Sequence, residues 1–394
     1  MTGQHLMNTY GRLPVAFTHG KGAWLYDEAG KQYLDAVSGV AVCGLGHAHP
    51  AVTQAICEQA ARVMHTSNLY RIPAQETLGE RLCQISGMDR VFFSNSGAEA
   101  NEAAIKLARL HGKHKGIELP TVIVMENAFH GRTIATLTAT GNRKVQAGFE
   151  PLVQGFARAR FNDIQAVESI LRNNKNIVAV MVEPVQGEGG LASLDDQYLP
   201  LLRALCDKHD LLMILDEIQT GNGRTGTYFA YQQSGIKPDV VTTAKGLGNG
   251  FPIGACLAQG KAAALFQPGS HGSTYGGNPL GCFVAEAVVK TLVEEKLPEN
   301  AAKMGQYLRN GFAEALANCD QVVDIRGKGL MLGIELKTEC SAIVAQALEA
   351  QILINVTAGN VIRLLPPLTI NKSEADQIIE RVSALIFAYS ASSQ

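Results

Sequence analysis

Residues 238–252 read PDVVTTAKGLGNGFP, a β-branched run that ends in Lys245 and passes at once into a glycine-rich turn. The run predicts a buried strand, and a buried ammonium without a partner is costly. One explanation is that Lys245 is a neutral amine, or an imine to a carbonyl cofactor. Taken alone, the stretch favours an ordinary surface lysine before a flexible loop, and only the rest of the chain reverses that preference.

A second apolar run, LLMILDEIQ at residues 211–219, ends in Asp216 and two further polar residues. Such a run is typical of a parallel strand buried on both faces, and Asp216 then needs a cationic or hydrogen-bond-donating partner. Residues 122–125 and 177–182 are apolar runs that also predict strands. Ligands collect at the carboxyl ends of such strands, so the sequence predicts an α/β protein with a site there.

Small residues follow a short predicted strand at residues 91–94, where a helix begins that we expect to reach Leu110. Ser96, Gly97 and Ala98 would expose free backbone N–H groups at the positive end of that helix, an arrangement suited to a phosphate. An ordinary helix cap explains the same residues, with Ser96 as N-cap and Glu99 completing a capping box. Both interpretations stay open at this point.

Phe129, His130 and Arg132 follow the predicted strand at residues 122–125. An aromatic ring, an imidazole and a guanidinium side by side suit a ligand with a flat ring and a carboxylate. A solvated turn is the alternative interpretation.

Three further charged residues stand at or inside apolar strands. Glu183 and Glu188 follow residues 177–182, either as an acid/base pair or as a network that holds other charges in place. Arg363 is a lone charge within an apolar run at residues 361–367 and needs a carboxylate from the protein or from a ligand.

Composition excludes several classes of protein. The formal net charge of the 394 residues is −2, which does not suggest binding to nucleic acid or to an anionic membrane. No apolar run is long enough to span a bilayer, and Met1 to Leu6 do not resemble the start of a secretory signal, so we expect a cytoplasmic protein. The cysteines lack Cys-x-x-Cys spacing, and the histidine pairs at 47/49 and 111/114 lack ligand partners, so no metal site is expected.

Residues 221–226 read GNGRTG and match the dinucleotide-binding pattern GxGxxG. The context argues against that function, because the residues that follow do not predict a helix and the motif lies in the middle of the chain. For domain organisation, we predict an N-terminal segment (1–45) that packs with the small domain, a large domain (46–280) and a small α+β domain (281–394). Residues 281–295 would form the helix that links the two domains.

Together these features meet the requirements of pyridoxal 5′-phosphate. Its aldehyde needs an amine, which Lys245 offers, and its pyridine nitrogen stays protonated beside a carboxylate such as Asp216. The helix end at Ser96 offers N–H donors for the phosphate. Phe129 and Ile218 are candidates to cover the two faces of the ring.

Several of these motifs resemble the class III pyridoxal-phosphate aminotransferases. The resemblance rests on DEIQTG at 216–221, RTG at 224–226 and KGLG at 245–248, with Lys245 lying 29 residues after Asp216. SGAEANE at 96–102 and FHGRT at 129–133 match the phosphate and ring motifs of the family, and the resemblance covers essentially the whole chain. It implies the fold-type I architecture of this cofactor class, with a mainly parallel seven-stranded sheet in the large domain. Asn222 stands where the family usually has an apolar residue, and we do not expect it to touch the cofactor.

The resemblance also implies roles for individual residues. Lys245 would bond to the cofactor aldehyde, Asp216 would pair with the pyridine nitrogen, and Thr274 would reach the phosphate bound by a neighbouring subunit, which implies a homodimer. Gln219 would lie near the ring hydroxyl. The full set of implied cofactor contacts is Ser96, Gly97, Ala98, Phe129, His130, Glu183, Asp216, Ile218, Gln219, Lys245, Ser273 and Thr274.

For substrates, the resemblance is strongest to members that move the distal amino group of N-acetylornithine to 2-oxoglutarate, giving glutamate, in arginine synthesis. Arg132, with Ser273, would bind the α-carboxylate of that donor. Arg363 would bind the α-carboxylate of 2-oxoglutarate or glutamate, and Glu188 would pair with Arg363 whenever the longer donor is bound. Alternative amines are N-succinylornithine, ornithine, N-succinyl-diaminopimelate and 4-aminobutyrate, and a non-enzymatic alternative is a regulatory module that only binds the cofactor.

Overall fold

A mainly parallel seven-stranded sheet forms the centre of the protein, whose computed structural model describes residues 5–392. Six strands run in one direction and Gly254–Ala258 runs against them. This arrangement confirms the predicted α/β class and the seven-stranded sheet. In order across the sheet, the strands are Arg90–Ser94, Gly254–Ala258, Val240–Thr243, Leu212–Asp216, Ile177–Val182, Thr121–Met125 and Phe156–Ala159.

The central strands are buried on both faces because helices cover both sides of the sheet. Successive side chains of a strand point to opposite faces. Ile214 therefore lies in the apolar cluster that includes the helix Gly97–His114, whereas Met213 lies in the larger cluster that includes the helix Tyr198–His209. Both side chains are fully buried, which explains why this strand shows a continuous apolar run and no alternation.

The remaining helices complete these layers and cover the smaller sheets. The α-helices are Pro50–Ala60, Pro73–Ser86, Gly97–His114, Ile134–Ala139, Arg143–Gln146, Ile164–Asn173, Tyr198–His209, Gly260–Ala263, Pro279–Glu294, Leu297–Ala315, Ile343–Glu349 and Lys372–Ser392. Short 3-10 helices occupy Ala230–Ser234 and Lys245–Leu247. Ser38–Ala41 form a compact turn in which all four residues have positive φ.

The amphipathic pattern of residues 51–65 predicts a helix over that whole range, entered through Pro50, but the helix ends earlier, at Ala60. The side-chain amide of Gln59 donates to the carbonyl oxygen of Val63 at 2.8 Å and closes the chain into a turn. Val63 and Met64, whose apolar character prolonged the predicted helix, are exposed on the surface. A helical pattern in the sequence therefore continued past the point where the backbone leaves the helix.

Two four-stranded sheets are built from the ends of the chain. Residues 24–35, whose two alternating segments flank a turn and predict a β-hairpin, do form an antiparallel hairpin, and its last strand pairs in parallel with residues 352–353 through Leu34 and Ile352. The division into domains at residues 45 and 280 stays a prediction. The strands of these sheets, in order, are Phe17–Lys21, Trp24–Asp27, Gln32–Asp35 and Ile352–Leu353, then Val322–Lys328, Met331–Leu336, Val361–Leu364 and Asn355–Thr357.

A two-stranded ribbon, Val185–Gln186 with Ala192–Ser193, joins the carboxyl end of the central sheet to these smaller sheets. Between residues 5 and 392, every helix is too short or too polar to cross a lipid bilayer. The prediction that drew on Met1 to Leu6 concerns a segment whose first four residues lie outside this range.

Candidate active site

A cavity of about 390 Å³ opens at the carboxyl ends of the central strands. This volume lies within the usual range for small-molecule sites, and most of the predicted site residues meet there although they are distant in sequence. The lining residues that the sequence singled out are Ser96, Gly97, Ala98, Phe129, His130, Arg132, Glu183, Glu188, Asp216, Ile218, Gln219 and Lys245.

Asp216 is fixed by three hydrogen-bond donors on the buried side of this cavity. Its Oδ2 accepts from Asn101 Nδ2 at 2.7 Å and from His130 Nδ1 at 2.8 Å, and its Oδ1 accepts from the backbone N–H of Ile218 at 3.1 Å. Thr242 Oγ1 in turn donates to Asn101 Oδ1 at 2.7 Å. The partner that the sequence required for Asp216 is therefore a network of donors that sets the orientation of the carboxylate.

The protonation of His130 depends on the carboxylates of this network. Burial alone would lower the pKa of His130, but the hydrogen bond and the negative charge of Asp216, with a contribution from Glu183, raise it above its ordinary value. His130 is only 2% exposed, and its Nε2 has no hydrogen-bond partner among residues 5–392. His130 thus supports Asp216 with one ring nitrogen and leaves the other unpartnered.

Lys245 begins a short 3-10 turn directly after a buried strand and lines the cavity. Its φ of 47° is in the left-handed region, which residues other than glycine adopt uncommonly. Removal from bulk water, followed by the positive charge of Arg363, lowers its pKa from 10.5 to about 8. The interpretation of Lys245 as an ordinary surface lysine is therefore wrong, and about a tenth of the Lys245 side chains are free amine at pH 7.

The helix Gly97–His114 begins at the cavity. Its first turn has both of the features that the sequence predicted as alternatives, a capping side chain and free backbone N–H groups. Ser96 is an N-cap whose Oγ accepts from the backbone N–H of Glu99 at 3.2 Å, but the Glu99 carboxylate bonds to Asn95 instead of closing back on Ser96. The N–H groups of Gly97 and Ala98 lie in the first turn, where a helix offers no internal acceptor. Capping therefore uses the N–H of Glu99 and leaves those of Gly97 and Ala98 available to an anion, so the two interpretations are compatible.

Glu183 and Glu188, which follow the same predicted strand and could have formed a pair, have separate partners. Glu183 is buried and accepts from the backbone N–H of Phe129 at 3.0 Å, and its burial raises its pKa to about 8. Glu188 forms an ion pair with Arg363, with 2.6 Å between Oε1 and Nη1. Of the two interpretations of this pair, the geometry favours the network that holds other groups in place.

Gln219 tests whether the cavity suits pyridoxal phosphate. Its Oε1 is a buried acceptor without a hydrogen-bond partner in the described part of the chain, and it lines the cavity. A ring hydroxyl is a donor that would satisfy it. A Cβ added at Gly97 would lie 2.8 Å from two atoms of Ile218, so glycine is required where the helix end meets that side chain. An amine, a fixed carboxylate, free N–H donors, an aromatic ring and an unpaired acceptor share one cavity, and this set fits the cofactor.

Two predicted cofactor residues lie outside the cavity of the single chain. Ser273 Oγ accepts from Asn95 Nδ2 at 3.2 Å and from the N–H of Gly276 at 2.9 Å, and Thr274 is exposed. Asn222 also lies outside the lining, where its Nδ2 donates to Thr243 Oγ1 and to the carbonyl oxygen of Ala244. The GNGRTG segment around it leads into turns and begins no α-helix.

Sequence reasoning missed Asn101, Asn95 and Val42. Asn101 is fully buried on the face of the helix Gly97–His114 that carries Ala104 and Ala108, at spacings of three and seven residues. An amide inside an otherwise apolar helix face was a readable signal. Asn95 and Val42 line the cavity, and nothing in their local sequence distinguishes them.

The sequence matches the family described as Aminotransferase class-III over residues 6–386. It is 54% identical over 382 residues to an acetylornithine aminotransferase of Nitrosomonas europaea, a match that covers 97% of each chain. The fold is similar to that of an ornithine aminotransferase from Toxoplasma gondii, with a TM-score of 0.95, 34% identity, and coverage of 99% of this chain and 94% of that one. An N-acetylornithine aminotransferase from Stenotrophomonas maltophilia gives a TM-score of 0.85, 37% identity, and coverage of 97% and 98%.

Proposed function

This chain belongs to the class III aminotransferases, which depend on pyridoxal 5′-phosphate, and we propose that it transfers the distal amino group of N-acetylornithine to 2-oxoglutarate. The products would be N-acetylglutamate 5-semialdehyde and glutamate, as arginine synthesis requires. The identity of 54% over 97% of an acetylornithine aminotransferase supports this donor. The observation that carries the proposal is that Lys245, Asp216 and Glu188, the last paired with Arg363, line one cavity.

Three kinds of group would hold the cofactor, namely free donors or acceptors, an aromatic ring and a carboxylate of fixed orientation. When bound, pyridoxal 5′-phosphate supplies an aldehyde and an electron-withdrawing ring. Gly97 and Ala98 would donate to its phosphate, Gln219 would accept from its ring hydroxyl, and Phe129 would cover the ring. Asp216, oriented by its three donors, would keep the ring nitrogen protonated.

Lys245 would have two tasks. Its amine would hold the cofactor at the aldehyde while no donor is bound. With a donor in place the amine would be free, and with a pKa of about 8 it would act as the base that takes a proton from the substrate carbon and carries it on Nζ. A lysine with an ordinary pKa of 10.5 would be almost fully protonated at neutral pH and unable to act as that base.

Two arginines would bind the carboxylates of the two substrates. Arg132 is exposed, lies 5.8 Å from the centre of the Phe129 ring and lines the cavity, so it would bind the α-carboxylate of N-acetylornithine. Arg363 is 2% exposed behind Glu188 and would bind the α-carboxylate of 2-oxoglutarate or glutamate. Glu188 would neutralise Arg363 while the donor is bound and turn away for the keto acid.

We also propose that the protein is a homodimer in the cytoplasm. Thr274 is exposed beside Tyr275, and the exposed apolar side chains of Leu69, Tyr70 and Tyr275 form a surface that suits a second copy of the chain. Thr274 would then reach the phosphate in the neighbouring subunit. Ser273 would contact cofactor or donor from the same loop.

A substrate panel tests the proposed donor. kcat/KM would be measured with 2-oxoglutarate as acceptor for N-acetylornithine, N-succinylornithine, ornithine, N-succinyl-diaminopimelate and 4-aminobutyrate. We expect N-acetylornithine to give the highest value. Ornithine is the second candidate, because the Toxoplasma gondii enzyme is similar in fold over the whole chain. A higher value for ornithine would replace the proposed donor, and the absence of any half-reaction would indicate a module that only binds the cofactor.

A further inference from the structure

Asn355 contacts the acceptor-binding arginine from the side opposite Glu188. It lies directly across from Arg363 in the antiparallel pair formed by Asn355–Thr357 and Val361–Leu364. Its Oδ1 accepts from Arg363 Nε at 3.0 Å, while Arg363 Nη1 donates to the carbonyl oxygen of Gly187 at 3.0 Å and to Glu188 at 2.6 Å. The guanidinium is therefore held by two neutral acceptors and one carboxylate.

These partners differ in how easily they can leave. Arg363 is 2% exposed, whereas the Glu188 side chain is 42% exposed and can return its carboxylate to water. Thr357 Oγ1 donates to the backbone carbonyl oxygen of Glu188 at 2.6 Å, so the main chain is held while the side chain is free to turn. Asn355 and Thr357 are two residues apart on one strand and point to the same face. One short strand thus supports both members of the ion pair.

We propose that Asn355 is a positioning residue, which holds the Arg363 guanidinium in place without neutralising it when Glu188 turns away. This inference rests on the proposed function, because it assigns Arg363 to the carboxylate of the keto acid. After Glu188 leaves, the amide oxygen of Asn355 and the carbonyl oxygen of Gly187 keep two sides of the guanidinium fixed. The charge of Arg363 is then free for a two-pronged bond to the incoming carboxylate.

Because the Asn355 side chain carries no charge, it can hold Arg363 without competing with the carboxylate of 2-oxoglutarate. A carboxylate at this position would stand on a strand and could not swing away as Glu188 does. It would hold Arg363 neutralised in both half-reactions and compete permanently with 2-oxoglutarate. An asparagine has the same shape and the same acceptor atom but no charge, so acceptor binding stays available.

The variants Asn355→Asp and Asn355→Ala test this assignment, with Asn360→Ala as the matched control. Asn360 lies beside the same strands and donates to the carbonyl oxygen of Leu336 at 2.8 Å, with no bond to Arg363. Each holoenzyme would be assayed in single turnovers, once in the aldehyde form with N-acetylornithine and once in the aminated form with 2-oxoglutarate. Calorimetric titration with glutarate, which has both carboxylates but no reacting group, reports binding without turnover.

We expect Asn355→Asp to raise the apparent Kd for 2-oxoglutarate and glutarate about tenfold or more, and Asn355→Ala about threefold, at the low end of the net cost of losing one hydrogen bond. The N-acetylornithine half-reaction should change less than about twofold in both variants, because Arg363 is neutralised in that step. Asn360→Ala should match wild type throughout. A merely structural role would weaken both half-reactions together.

The outcomes distinguish a failure of the proposed function from a failure of the role assigned to Asn355. If wild type fails to react with 2-oxoglutarate, the proposed function is wrong, and glutarate binding still tests Asn355. If wild type reacts and Asn355→Asp binds 2-oxoglutarate and glutarate as wild type does, the positioning role is wrong. Should Asn355→Asp fail to fold, Asn355→Ala decides, and equal losses in the two half-reactions of that variant would overturn the inference.

Discussion

Nδ1 of His130 lies 2.8 Å from Oδ2 of Asp216, and both side chains are at least 96% buried below the cavity. The contact joins a turn after one strand to the end of another, 86 residues apart in sequence. Asp216 favours the charged form of His130, and the contact fixes the Asp216 carboxylate next to where a protonated pyridine would lie.

Asp216→Asn should keep the shape of this site and remove its charge. We expect the variant to retain cofactor but to lose about 10²–10³-fold in kcat, the usual scale for removing one preorganised electrostatic contact. Steady-state kinetics would measure the change. Asp210→Asn, at an exposed ion pair with Lys115 and Lys261, is the control and should stay near wild type. Equal effects in the two variants would refute a special role for Asp216.

Gly97→Ala should weaken cofactor binding by displacing Ile218. The added Cβ would lie 2.8 Å from Cδ1 and Cγ2 of Ile218, which lines the cavity. We expect the Kd for pyridoxal phosphate to rise by about tenfold or more, since overpacking costs on the order of 1–3 kcal/mol. Fluorescence titration of the cofactor-free protein measures this. Gly11→Ala, where a Cβ would meet nothing within 4 Å, is the control, and an unchanged Kd for Gly97→Ala would contradict the geometry.

Glu188→Gln should impair selection between the two substrates. In this variant Arg363 has no carboxylate partner, so it can bind 2-oxoglutarate during the half-reaction in which the donor should bind. We expect inhibition of the donor half-reaction by 2-oxoglutarate to strengthen about tenfold, as for a lost charge-assisted contact. Stopped-flow measurement of the donor step at rising 2-oxoglutarate concentration reports it. Glu58→Gln, in an exposed pair with Arg62, should show no such change; if the inhibition constant of Glu188→Gln equals that of wild type, the switch is wrong.

Lys245→Met should stabilise the cofactor-free protein in a pH-dependent way. The pKa of Lys245 is about 8 in the folded state and 10.5 as its ordinary value. Below pH 8 Lys245 is mainly protonated in both the folded and the unfolded protein, so folded wild type carries the full cost of the buried ammonium. Between pH 8 and 10.5 the unfolded protein binds more protons than the folded protein, so the stability of wild type rises with pH. The variant should therefore exceed wild type by on the order of 2 kcal/mol at pH 7, with the difference shrinking as the pH rises. Denaturant unfolding at pH 7 and pH 10 measures it, and a difference that grows with pH would contradict the assignment.

The strand ends and the charged residues at those ends were predictable from sequence for a physical reason. A strand buried on both faces must be apolar throughout, so the first charged residue, Asp216 or Lys245, marks where the strand reaches the cavity. The start of the helix at Ser96 was predictable in the same way, from small residues after a short strand.

Contacts between distant segments could not be predicted from the local sequence. The residues around Arg363 indicated only that it needs a carboxylate, and its pairing with Glu188, 175 residues away, was implied by the family resemblance alone, because it depends on how the small sheet packs against the ribbon at Val185–Gln186. Asn355 reaches Arg363 only through the strand register. The helix end at Ala60 was missed because apolar residues that follow it are exposed on the surface.

Reduction of the holoenzyme with borohydride, followed by peptide mass spectrometry, tests the central claim most directly. Borohydride converts a bond between an amine and the cofactor aldehyde into a stable one and so marks the lysine involved. We expect the cofactor mass on the peptide that contains Lys245, and no labelled peptide from a Lys245→Ala variant reduced in the same way. A protein that takes up no pyridoxal phosphate, or a label on another lysine with Lys245 unmodified, would contradict the account.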